Sequence, residues 1–153
     1  MKQAVLIVAA SVSLVGASLF IYDAFLTDNG AVTLQDQTPQ VIALGASVYK
    51  ANCAACHGPD LEGEPNWQSR DAEGRLRAPP HDASGHTWHH DSELLFRLTK
   101  YGPAEVIGDP SYVSNMPAYQ DVLSDDEIIA VLSYIKSIWP KRIRDRHDEM
   151  ENR

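Results

Sequence analysis

The sequence predicts an all-α chain of helices and loops, preceded by one membrane-spanning helix. Three observations predict it. Apolar residues recur at helical spacing in three stretches, from about Pro39 to Cys53, from Asp91 to Tyr101 and from Asp125 to about Trp139. No stretch shows a confident strand of core length. The run from Ala4 to Leu26 is apolar apart from Asp23 and reaches the roughly 20 residues that cross a bilayer.

The elements follow in chain order. Residues 1–26 are expected to form an N-terminal anchor. Lys2 leads the apolar run and Asp23 and Asp28 follow it, so the N-terminus should face the cytoplasm. That orientation expects a single-pass protein of the inner (cytoplasmic) membrane with its bulk on the periplasmic side. The alternative is a cleaved signal peptide with a small-residue site at Val15-Gly16-Ala17, although the apolar run continues well past that site. Residues 27–40 read as a flexible linker, because Asp28-Asn29-Gly30 and Thr38-Pro39 are turn chemistry without helical periodicity. Such a leash would hold the domain near the membrane.

The domain proper is expected over residues 41–139. Val41, Leu44, Val48 and Ala51 form the apolar stripe of its first helix, with Gly45 and Tyr49 four apart. Asp91 or Ser92 caps a middle helix carrying Leu94, Leu95 and Leu98, which Gly102-Pro103 ends. Ser124 and Glu127 form a capping box for the last helix, whose stripe is Ile128, Val131, Leu132, Ile135 and Ile138. Pro140 should stop it. The stretches 58–90 and 102–117 read as loops, and residues 140–153 as a charged, solvated tail or frayed helix.

The centre of the chain is Cys53-Ala54-Ala55-Cys56-His57, a C-x-x-C-H run, the pattern of covalent haem attachment. The spacing has a chemical reason. Two thiols add across two vinyl groups on one haem edge, and one helical turn aligns both sulfurs with that edge. His57 then offers a ring nitrogen to the iron. A thioredoxin-like pair would need a preceding strand, and none is present. A zinc site would need four ligands, and the chain has only 2 cysteines. A haem also supplies a core for the long loops. The formal net charge of −8 argues against nucleic acid and for partners with a basic docking patch.

A helix with a glycine and an aromatic, C-x-x-C-H, loops, Met116-Pro117 and a capped terminal helix occur in that order. This order resembles class I cytochrome c of the monohaem bacterial type, over roughly residues 41–139. The resemblance implies that the first and last helices cross at Gly45, with Tyr49 on one side and Val131 and Tyr134 on the other. It implies that the carbonyl of Pro79 or Pro80 accepts the His57 ring N–H. It implies one covalent haem c and single-electron transfer rather than enzyme catalysis.

The sixth iron ligand follows by elimination. Of the 3 methionines, Met1 precedes the apolar run and Met150 lies in the tail, which leaves Met116. Trp67, Trp88 and Arg77 are expected as pocket wall and haem propionate partners. His81, His86, His89 and His90 raise the question of a second metal, but no cysteine or second methionine is near them. With both axial positions filled, no small-molecule substrate is expected. The expected partners are redox proteins, met freely or within a larger respiratory complex as a permanent haem subunit. A sensor or enzyme with a labile sixth ligand is the remaining class, and Met116 argues against it.

Overall fold

The computed structural model describes residues 31–109 and 111–153. The expected anchor over residues 1–26 and the start of the expected linker lie outside the described residues. Among the described residues no helix is long and apolar enough to cross a membrane.

Helix α1 spans Pro39–Asn52, opening on a proline whose missing N–H costs nothing there. It buries Val41, Gly45, Val48 and Tyr49. Cys53 closes it, and Ala54–His57 follow at once as the four-residue α2. Gly58 ends α2 at φ +80°, a conformation glycine adopts freely. The loops expected over 58–90 are irregular as read, with a 3-10 turn at Thr87–His89 and one isolated bridge between Arg70 and Leu76.

Helix α3 covers Ser92–Tyr101, and the Asp91 carboxylate accepts from the Leu94 N–H at 2.7 Å. The expected loop over 102–117 contains a further short helix, α4, at Pro103–Ile107. Pro103 starts it at the position where proline suits a helix, and left-handed Gly108 ends it. It is too short to leave a periodic signal.

Helix α5 covers Asp125–Ile138 with the full capping box in place. Ile128, Val131, Leu132 and Ile135 enter the core beside Leu34, Val48, Tyr49, Leu61 and Leu95. The helix pair α1 and α5 meets at Gly45. A Cβ there would lie 2.0 Å from the Ala130 carbonyl oxygen and 2.7 Å from Tyr134 Cβ. The crossing implied by the resemblance is therefore present. Its closest atom belongs to Ala130, while Val131 faces the core one residue along.

Two boundaries differ from expectation. The charged tail is helix α6, Lys141–Glu151, docked on the domain. Ile143 and His147, four apart, form a buried stripe too narrow to stand out among so many charges. Arg144 donates to two carbonyls at the end of α5, Ser137 and the capping residue Trp139. At the far end the Glu151 carboxylate accepts from the Ser92 N–H and hydroxyl at 2.6 and 3.0 Å, which ties α6 to the start of α3.

The second correction concerns the linker. Leu34 is 9% exposed and belongs to the core, and Val32 packs against it. The Gln35 N–H donates to Ser133 Oγ at 2.8 Å, and Asp36 faces Lys136 and Arg144. Burying Leu34 contributes about 1.5–3 kcal/mol, enough to hold a short extended segment down. Among the described residues the packing therefore reaches back to Val32.

Candidate functional site

The C-x-x-C-H run is one turn of helix. The Cys56 and His57 N–H groups both donate to the Cys53 carbonyl, at 3.1 and 2.9 Å. Both thiols are free, Cys53 half-buried and Cys56 exposed. Burial, followed by the neighbouring Cys56, pushes the Cys53 thiol up to about 11. It is therefore a thiol rather than a thiolate at neutral pH.

His57 is buried at the end of this turn. Its Nδ1 lies 2.8 Å from the Pro79 carbonyl oxygen. A carbonyl only accepts, so Nδ1 carries the proton and Nε2 keeps its lone pair for a metal. Burial lowers the His57 pKa, against the opposing pull of the Pro79 carbonyl and Glu64. The ring is thus held neutral, as a ligand must be.

The loop brings Pro79 to this position through its own hydrogen bonds. Glu64 and Ala78 pair twice, backbone N–H to carbonyl at 2.9 Å and Ala78 N–H to the Glu64 carboxylate at 2.7 Å. The Gly63 N–H donates to the His57 carbonyl, and the His81 N–H to the Leu61 carbonyl, both at 2.8 Å. Of the two prolines left open by the sequence, Pro79 meets His57. Pro80 is buried, and its carbonyl accepts a long bond from Thr87 Oγ1 at 3.4 Å.

Two tyrosines frame the motif. Tyr49 donates to the Gly58 carbonyl at 2.9 Å, with the His57 carbonyl at 3.3 Å. Burial pushes its phenol pKa up, so it remains a donor. Tyr119 donates to the Asn52 carbonyl at 2.7 Å, immediately before Cys53. Sequence reasoning missed Tyr119; its place three residues after Met116 was the available signal. Its backbone N–H also bonds the Lys100 carbonyl at 3.0 Å. The segment carrying Met116 is thus pinned between the end of α3 and the residue preceding the attachment motif. Met116 itself is half-buried, and its N–H bonds Ser114 Oγ at 3.0 Å.

Trp67 and Trp88 have ring and polar partners outside the motif. Trp67 is half-buried and stacks on His86, with centroids 5.0 Å apart and planes 9° apart. Trp88 turns toward α6. Its Nε1 donates to the Gly85 carbonyl at 3.1 Å, and Arg146 lies over its ring at 5.3 Å. Helix α6 thus covers one face of Trp88, which also packs against the core. Arg77 is exposed, with no ion pair among the described residues. The four loop histidines have separate ring partners in part only: His81 stacks on His57, His86 stacks on Trp67 and meets the His90 ring edge-on at 5.3 Å, and His89 lies tilted against Trp88. Among the described residues no three potential ligands converge to hold a metal ion.

The donor set fits a covalently held haem. It offers two free thiols one helical turn apart and a neutral, oriented imidazole with Nε2 available. The family model for Cytochrome c matches residues 42–139. No curated protein matches the chain, and no solved structure does.

Proposed function

Because the chain belongs to the cytochrome c family, we propose that it is a membrane-tethered relay of single electrons that holds both axial ligands of its haem iron itself. The family binds covalent c-type haem, and Cys53 and Cys56 have the spacing for its attachment. The haem, when bound, supplies the one-electron chemistry.

In this reading Cys53 and Cys56 hold the group and His57 Nε2 is the proximal ligand. Met116 is the sixth ligand, and its soft sulfur favours the ferrous state. With neither axial position open, there is no place for a small-molecule substrate. The run from Ala4 to Leu26 supports a single anchor in the inner membrane with the domain on the periplasmic side. The acidic balance supports redox protein partners with basic docking faces. The observation that carries the reading is the 2.8 Å contact from His57 Nδ1 to the Pro79 carbonyl, within a C-x-x-C-H turn.

Replacing both cysteines by alanine should leave a denatured polypeptide without haem on a haem-stained gel. Met116→Ala should open the iron to carbon monoxide and lower the midpoint potential. Covalent haem surviving Cys53→Ala plus Cys56→Ala would sink the attachment claim. Rapid carbon monoxide binding by the wild type would sink the six-coordinate one.

A further inference from the structure

The His57–Pro79 hydrogen bond fixes one edge of the His57 ring. A single bond is a pivot, because the torsion about Cβ–Cγ is broad for histidine. A second restraint lies on the ring face. The His81 ring stacks on it with centroids 4.0 Å apart and planes 23° apart.

His81 is held at several points. Its N–H donates to the Leu61 carbonyl at 2.8 Å. Its carbonyl accepts from Trp139 Nε1, also at 2.8 Å. Its Nδ1 lies 2.8 Å from Thr87 Oγ1, whose hydroxyl in turn donates to the Pro80 carbonyl. Thr87 therefore accepts from His81, which sets the His81 tautomer with the proton on Nδ1. The Tyr49 ring meets His81 edge-on at 6.4 Å. The loop has no slack at this point, since a Cβ on Gly85 would fall 2.0 Å from the Pro80 carbonyl oxygen.

We propose that His81 is a positioning residue for His57, a flat aromatic backstop that fixes the rotation of the His57 ring and keeps water from its face. Aromatic pairs of this kind stabilise beyond their buried area, as a hydrogen bond does on the other edge. The two restraints are complementary, one fixing an edge and the other a face. Trp139 extends the arrangement to the end of α5, so the last helix of the matched domain braces the proximal ligand through the His81 carbonyl. The proposal rests on His57 being an iron ligand.

The test uses the full-length, haem-loaded, ferric protein. The paramagnetically shifted haem methyl resonances report the orientation of the axial ring, which a purely structural role for His81 would not move. His81→Phe keeps a flat face, His81→Leu keeps bulk without one, and Thr87→Val frees His81 Nδ1. His81→Leu should change the methyl pattern, His81→Phe should retain the wild-type pattern, and Thr87→Val should move part of the way toward His81→Leu. An unchanged pattern in His81→Leu, or equal changes in His81→Leu and His81→Phe, overturns the backstop. Should His81→Leu fail to hold haem, Thr87→Val decides, a shifted pattern supporting the proposal and a wild-type pattern overturning it. The optical spectrum separates the two levels. A wild type without histidine-ligated haem overturns the ligand reading and the backstop with it, whereas altered methyl shifts in a normally ligated protein concern the backstop alone.

Discussion

The ring of His147 is fully buried in α6, and neither nitrogen makes a hydrogen bond of good geometry, although the His90 backbone and Glu151 lie near it. The Glu151 carboxylate lies 3.5 Å from Nε2. Burial lowers the His147 pKa first and Lys136 lowers it further, while Glu151, the His90 backbone and Asp148 pull the other way. The folded chain therefore binds this proton less readily than the unfolded chain. Stability is complete above the unfolded value near 6.5 and is lost as pH falls below it. His81 and His86 shift in the same direction, both chiefly through burial. Melting temperature should drop between about pH 7.5 and about pH 5.5, and His147→Phe should flatten part of that slope. An identical slope in His147→Phe would mean that water reaches the ring. The same rule of burial acts at Cys53 and His57, where it keeps a thiol protonated and an imidazole neutral.

At the scale of elements, the α1–α5 crossing fixes the attachment turn. Gly45 lets the two backbones touch, Tyr49 one turn later bonds the end of the motif, and Cys53 one turn beyond that closes the helix. Gly45→Ala isolates the energetics. Alanine would gain about 1 kcal/mol of helix propensity. Overlap with the Ala130 carbonyl opposes it, and overpacking costs about 1–3 kcal/mol or more where backbone cannot yield. A contact as close as 2.0 Å belongs at the upper end of that range. The expected net loss is about 2 kcal/mol in denaturant unfolding of the haem-loaded protein. A loss near zero would show that the helices can separate at little cost.

For the whole molecule, the net charge of −8 governs encounter with other proteins. Electron transfer to a freely diffusing partner should slow as ionic strength rises past about 0.1 M, where charges farther apart than roughly 10 Å are screened. Stopped-flow rates across a salt series check this. A flat series would favour a permanent haem subunit of a larger complex.

The sequence by itself determined the chemistry and the helices α1, α3 and α5. C-x-x-C-H is a local pattern in which adjacent residues must meet one flat group, so spacing alone carries it. Ser124 with Glu127, and Asp91 ahead of its helix, are likewise contacts within one turn. The tertiary structure decided what depends on distant partners. Pro79 rather than Pro80 meets His57 because the pairing of Glu64 with Ala78 sets the register of that loop. Asp36 and Glu151 find partners 100 and 59 residues away, at Lys136 and Ser92, and no periodicity in a charged stretch foretells such pairs. The linker and the tail read as solvated because their burial rests on one or two apolar residues each, Leu34 on one side and Ile143 beside His147 on the other. Which surface those residues cover exists only once α5 and the loops have folded.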